Sequence, residues 1–313
     1  MPESTRSSPL HLTPRDISSI ETVYAYHGCA AQHLHDRFWS EESTPSATYR
    51  RVARLVSERY LAAHRLPSLS GRGSGKAFLT VALRGRRVLA ERQGIPLGQL
   101  ARQKYPGSSL FVHHHFGICD FRVALELATG ASPDLALLSW TGEWVLKRTP
   151  MKVQDTRTEG GDPARSITLI PDGAFTLGYN GRTERGFLEM DMGTMAPKRL
   201  QVKLRGYLLQ QKTVSVPIFF VTTAERRVAQ VLKLAEREAG HIGADPSFIF
   251  VTTREQVRRD TILARPIWQQ AGTAHTVAIV PGSAPAANSG TKPDHGAVTR
   301  TAPAPALATG DRA

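Results

Sequence analysis

Residues 46–60 read SATYRRVARLVSERY, and their spacing decides how the first third of the chain is organised. Ser46 can cap a helix from Ala47 to Tyr60 whose apolar residues Val52, Leu55 and Val56 recur at helical intervals. Arg50, Arg51, Arg54 and Arg59 occupy the remaining circumference. One apolar stripe with an arginine-rich surround predicts a helix that packs on one side and presents cations on the other.

The flanking text completes a unit. Thr13-Pro14-Arg15-Asp16 is a helix start, with Thr as N-cap, Pro in the first helical position and an acid in the first turn. Ile17, Ile20, Val23 and Tyr24 carry that helix to a stop at Gly28, and Cys29 to Phe38 forms a short amphipathic second helix. Beyond the third helix, Leu61 to Leu66 and Ala77 to Ala82 read as strands joined by a Gly/Ser/Arg loop, Pro67 to Lys76. Three short helices followed by a hairpin with a basic tip are the plan of a winged helix-turn-helix, expected over residues 13–94. Between Ser46 and Lys104 only Glu58 and Glu91 oppose the run of Arg and Lys. The sequence therefore predicts contact with double-stranded DNA through Arg50, Arg51, Arg54, Arg59, Arg72 and Lys76. The competing reading is a winged helix for protein contacts with solvated arginines. Gly71 to Lys76 lacks the spacing of a phosphate loop, so a wing tip is the better account.

The whole chain sets bounds. Its 313 residues, 41% hydrophobic, build a core without covalent staples, and the net charge of +13 favours an acidic polymer as partner. Cys29 and Cys119 form no CxxC pair and have no paired spacing, which suits a reducing compartment and offers no four-ligand zinc site. Met1 to Pro14 is too polar for a signal peptide, and no stretch approaches the roughly 18 apolar residues of a membrane span, so a soluble, cytoplasmic protein is expected. Residues 95–112 read as a linker. Residues 272–313, rich in Ala, Pro, Gly, Thr and Ser, read as a disordered tail.

Residues 113–268 alternate strands and helices. Phe116 to Ala128 reads as a helix, Leu135 to Leu146 as a strand, and Ser166 to Tyr179 as two extended arms around Pro171-Asp172-Gly173 or a single bulged strand. Arg185 to Met192 is a strand, Pro197 to Gln210 a helix, Val216 to Val221 a strand, Ala224 to Ala239 a helix and Ser247 to Val251 a strand. This order predicts a mixed α/β fold, its sheet covered by helices on both faces.

Asp172 lies where the first arm meets its turn, and Glu189 and Asp191 alternate on the next strand, so they share a face. Pairing of the two segments would gather all three carboxylates into a site for Mg²⁺, a hard cation that takes oxygen ligands and can activate water for phosphodiester attack. Lys203 on the following helix would stabilise developing charge. The alternative is a solvated strand face with salt bridges to Lys198, Arg199 and Lys203.

The segments His113-His114-His115 through Asp120-Phe121-Arg122, Pro171-Asp172-Gly173, Phe187 to Thr194, Lys203 to Tyr207 and Phe219 to Thr223, with Trp140, resemble the replication-relaxation family of plasmids and other mobile elements. The resemblance covers most of Thr13 to Trp268, and its most specific part is the Glu-x-Asp-x-Gly-Thr strand followed by a helix with Lys and Tyr. It implies DNA relaxation or processing linked to plasmid replication or transfer. The same block resembles the PD-(D/E)XK nucleases, with Asp172 as the Asp and Glu189 as the Glu. Asp191 stands where those enzymes have Lys, so cleavage would need a migrated lysine, Lys203 or Lys198, with Glu126 as an extra helix acid. Metal-dependent nicking is thus one expectation. Another is a non-catalytic regulator or initiator whose degenerate nuclease fold serves a homodimer or partner contact; a third is a tyrosine relaxase using Tyr24, Tyr26 or Tyr207. Read on a strand, His113, His114 and His115 do not share a face, so they are not a metal cluster, and His114 is expected to pack or hydrogen-bond at the junction between the domains.

Overall fold

A computed structural model of the chain describes residues 10–40, 44–66, 76–156, 165–211 and 215–280. Helix α1 (Pro14–Ala25) begins as its sequence dictates. Thr13 Oγ1 accepts from the Asp16 N–H at 3.2 Å, and the Asp16 carboxylate accepts from the Thr13 N–H at 2.7 Å, a reciprocal capping box. Helices α2 (Ala31–Phe38) and α3 (Pro45–Ser57) follow. Thr44, not Ser46, stands at the N-cap of α3, and it makes no side-chain cap bond; its Oγ1 meets Ser46 Oγ at 2.9 Å, while Pro45 supplies the preset φ. Strands β1 (Leu61–Arg65) and β2 (Ala77–Val81) pair antiparallel, from Leu61 opposite Val81 to Arg65 opposite Ala77. The connecting tip, with Arg72, lies outside the described residues. Gly28, at φ +110°, lies against the hairpin, and a Cβ there would stand 2.2 Å from Phe78 Cζ.

The basic segment after the hairpin, for which no helix is expected, forms α4 (Leu83–Gln93), ended by Gly94 in the left-handed conformation. Its Arg, Leu, Ala, Glu and Gln are strong helix formers. Helix α5 (Ser109–Gly130) starts well before Phe116, so His113, His114 and His115 are helical rather than extended. The stretch read as a linker, 95–112, contains a 3-10 turn at Leu97–Gln99 and the first turn of α5, and it buries Leu100 and Val112. Cys119 and Val123 of α5 join the core formed by α1 to α4 and the hairpin, whereas Ile118, Phe121, Ala124, Leu125 and Ala128 face the large sheet. A helix apolar on most of its circumference shows no stripe, because it is buried on most sides.

The remaining strands are β3 (Leu135–Gly142), β4 (Met151–Asp155), β5 (Arg165–Leu169), β6 (Gly173–Tyr179), β7 (Arg182–Asp191), β8 (Ile218–Thr222), β9 (Ile249–Thr253), β10 (Trp268–Gln270) and β11 (Thr276–Val277). Seven of them form one mixed sheet in the order β11-β10-β9-β8-β7-β6-β3, with β7, β8 and β9 parallel. The fold is mixed α/β. Helices α7 (Pro197–Gln211) and α8 (Glu225–Ile242) connect the parallel strands and pack on one face with β4 and β5, while α5 covers the other. Strand β8 reads as an unbroken apolar run because it is buried along its whole length.

Three boundaries differ from the sequence reading. The strand expected over 135–146 ends at Gly142, and Glu143–Leu146 forms the one-turn helix α6. The two arms around Asp172 do not pair with each other: β5 pairs with the unforeseen β4, and β6 inserts between β3 and β7. The sheet also continues past Trp268, and Val280 is buried in its core, so the stretch read as a tail from 272 begins with ordered chain.

Candidate nucleic-acid interface and buried carboxylate centre

The packing of α3 sorts its arginines. Val52 and Leu55 are buried, while Arg50, Arg54 and Arg59 are exposed, as is Lys76 at the start of β2's approach. Arg51 has a different fate. Its Nε donates to Asp16 Oδ1 at 2.8 Å, and its Nη2 donates to Asp16 Oδ2 and, at 3.1 Å, to the His11 carbonyl. Burial opposes ionisation of Asp16, yet the bonds from Arg51 and Thr13 outweigh it and hold the carboxyl below its usual range. Arg51 therefore ties α3 to the start of α1 instead of facing outward. Further on, Arg84 pairs with Glu58 and Arg92 with Glu21, each at 3.0 Å, and Arg86 is buried.

The second group of expected residues meets where β6, β7, α5 and α7 converge. Asp172 donates its N–H to the Leu188 carbonyl at 2.9 Å. Its Oδ2 accepts from the Met190 N–H at 2.7 Å and lies 3.2 Å from His114 Nε2 of α5. Glu189 points to α7, where Lys203 Nζ donates to Oε2 and the Tyr207 hydroxyl donates to Oε1. Lys203 and Tyr207 sit four residues apart and so share one helix face. Asp191 lies on the same face of β7, as alternation requires, but Arg227 of α8 takes both its oxygens, with Nη2 at 3.2 Å from Oδ1, and the Gly193 N–H donates to Oδ1 at 3.1 Å.

The structure thus unites Asp172, Glu189 and Lys203, adds His114 and Tyr207, and commits Asp191 to Arg227. Lys198 is exposed, so Lys203 is the lysine that reaches the carboxylates. Glu126 belongs elsewhere, accepting from the Tyr26 hydroxyl at 2.8 Å and from Arg122 Nε at 2.9 Å. Tyr26 and Tyr207 are buried. Arg227 was the partner that spacing could not reveal, because it comes from a helix more than one element away.

Burial dominates the electrostatics. It pushes the Glu189 carboxyl up to about 7, with Asp172 adding to the rise and Lys203 and Tyr207 opposing it. Burial also works against charge on Asp172, but the His114 bond and charge, with Lys203, bring its pKa below the usual value. For Lys203, burial is outweighed by Glu189 and Asp172, so the ammonium is held charged above its usual range. His114 is likewise raised, burial being overcome by Asp172, then Glu143 and Glu189. Burial and Glu189 drive Tyr207 upward, which keeps it a neutral donor.

These residues do not fit Mg²⁺ as they stand. A divalent cation needs carboxylate oxygens that are not already held by N–H and O–H donors. Glu189 and Asp191 are both engaged by protein cations, and among the described residues no three His, Cys, Asp or Glu side chains are grouped to hold a metal.

A cation-bearing helical head and a sheet with an internal ion cluster together define a mixed α/β protein of basic surface. The replication-relaxation family model matches residues 22–212, more than half of the chain, and the protein belongs to that family. Membership suggests a role in replication or relaxation of a plasmid or mobile element. No curated protein and no solved structure matches the chain. Among the described residues no helix is long and apolar enough to cross a membrane.

Proposed function

We propose that the protein binds double-stranded DNA of a plasmid or mobile element as a non-catalytic regulator or initiator, with α1 to α3 and the β1–β2 hairpin acting as a winged helix-turn-helix. The observation that carries this reading is the division of α3 into a buried Val52/Leu55 side and an outward side bearing Arg50, Arg54 and, in the turn beyond, Arg59. Phosphate contact by these arginines and Lys76 releases condensed counterions, so log affinity falls with log salt by about 0.9 per contact. Fluorescence anisotropy of a labelled duplex across a KCl series will show a slope on the order of −3 to −4 if all four engage. A flat response at every salt concentration refutes DNA binding.

The convergence of Asp172, Glu189 and Lys203 favours one rival, metal-dependent strand nicking. Incubation with supercoiled plasmid and Mg²⁺ or Mn²⁺ separates the two. Uncut plasmid supports the non-catalytic reading, and nicking that disappears in Asp172→Asn overturns it.

A further inference from the structure

Helix α4 and the 3-10 turn after it enclose an open cavity of about 390 Å³, lined chiefly by Leu83, Arg86, Leu97, Leu100 and Arg102. Arg86 sets its character. It is only 8% exposed. Its Nη2 donates to the carbonyls of Leu97, at 3.1 Å, and Leu100, while its Nε has no hydrogen-bond partner.

Among the described residues no carboxylate pairs with Arg86. Neighbouring acids are placed elsewhere: Glu58 holds Arg84 and Glu21 holds Arg92. Glu91, on the same helix, stands about 140° around it. Carbonyl oxygens satisfy donors but leave the positive charge whole, and a buried cation without a counter-charge is unfavourable. The cavity that the guanidinium borders gives a counter-charge a way in.

The walls narrow its nature. Arg102 adds a second cation, no acid lines the space, and the rest is mainly aliphatic, with Leu83 49% exposed at the rim. A sugar-phosphate backbone has nothing to set against Leu83, Leu97 and Leu100. A carboxylate on an aliphatic body has both parts: an oxyanion for Arg86 and hydrocarbon for the leucines. We propose that this cavity binds an aliphatic carboxylate, supplied either by a free organic acid or by an acidic residue flanked by leucines in a partner peptide. The site is separate from the outward arginines of α3, so its occupancy and DNA binding are measured independently.

The test follows the Arg86 side-chain Nε–H by nitrogen-15 NMR in the full chain. Hexanoate, a blocked Leu-Glu-Leu peptide and inorganic phosphate are titrated at fixed ionic strength. Hexanoate or the peptide will shift the resonance saturably, and the tighter of the two identifies the source. Arg102→Gln will weaken that binding by roughly threefold to tenfold, the value of one charge-assisted contact. Because Arg86→Leu removes bonds to two carbonyls and can impair folding, Leu83→Glu at the exposed rim serves as the second variant. Its fixed negative charge will weaken binding by a similar factor. No saturable shift with either carboxylate overturns the proposal. So does tighter binding of phosphate, or displacement of hexanoate by duplex DNA, either of which assigns the cavity to phosphate.

Discussion

Replacing Glu189 by Gln will remove a downward component from the pH dependence of stability between about pH 4.5 and pH 7, the ordinary and the buried values of this carboxyl. Within that window the folded protein keeps the proton that the unfolded chain has released. The stability contributed by this carboxyl therefore falls as pH rises, by about 1.4 kcal/mol for each pH unit. Its contribution is fully present below the unfolded value and is lost as pH climbs through the folded one. Across the window the loss is on the order of 3 kcal/mol, a large share of the 5–15 kcal/mol typical of a folded protein. Lys203 and Tyr207 do not cancel it, because burial is the larger influence on Glu189. Gln cannot titrate, yet its carbonyl still accepts from Lys203 and its amide can face the Tyr207 oxygen.

Urea unfolding at constant ionic strength provides the assay, with the fully buried Trp268 as fluorescent reporter. From about pH 5 to pH 7 the wild-type free energy will fall relative to that of the variant. In both proteins His115, which burial pushes down to about 4, and the likewise lowered His27 and His64 add stability as pH rises toward the ordinary histidine value of 6.5, so the difference between the two profiles isolates Glu189. Above that point both will fall, since His114 has a raised folded-state pKa and its contribution also disappears as pH increases. Asp172 acts in the opposite sense, its stabilisation being lost only as pH drops through its lowered value, outside this window. Parallel wild-type and variant profiles below pH 6.5 would refute the assignment of Glu189 as a buried, proton-holding carboxyl.

Two further substitutions separate structure from recognition. Arg51→Ala strips Asp16 of its cation and will lower stability by about 1–3 kcal/mol in denaturant unfolding, since Arg51 is partly exposed and Thr13 still bonds the carboxylate; a loss under about 0.5 kcal/mol, the range of an ordinary surface change, would show the pair to be superficial. Arg50→Ala will do the reverse, leaving unfolding within about 0.5 kcal/mol of wild type while reducing the salt slope of duplex binding by about 1. An unchanged slope would remove Arg50 from the interface. Gly28→Ala forces a Cβ into the Phe78 ring at a positive φ, and will destabilise by about 1–3 kcal/mol from strain and overpacking. Thermal unfolding at or above the wild-type midpoint would contradict the close approach.

Local chemistry was readable from the chain, and long-range partnership was not. The α1 N-cap, the α3 stripe and the apolar β8 each lie within a short span, and each appears close to its expected place. Helix α4 was hidden because an arginine-rich segment resembles a solvated basic loop when its buried side, Gly85, Arg86, Leu89 and Ala90, includes a cation. The start of α5 was hidden because its histidines interrupt the apolar pattern while His115 is satisfied by the distant Gly28 carbonyl at 2.9 Å. At the carboxylate centre, alternation placed Glu189 and Asp191 on one face correctly. What the acids face was decided by α7 and α8, which bring Lys203 to one and Arg227 to the other. Three acids on neighbouring strands thus read as ligands, although in space Asp172 and Glu189 share a centre with Lys203 and His114 while Asp191 is held by Arg227.

Helix α5 gives the histidine contact and the ion pair at Asp120 a structural role. It contributes to the core of the arginine-bearing head on one side and to the core of the sheet on the other, so neither core is complete without it. Its polar residues fix the same junction directionally. Asp120 meets His33 of α2 at 2.9 Å and Arg254 beyond β9 at 2.8 Å, while His114 meets Asp172 beside β7. Apolar packing alone tolerates small slides and rotations, since dispersion and burial have little directional preference. Hydrogen-bonded ions do not, because a displacement of an ångström leaves a buried donor or acceptor unmet. These contacts therefore hold the head in one orientation on the sheet, which the proposed DNA contact requires if the sheet is to present the arginines at a fixed angle.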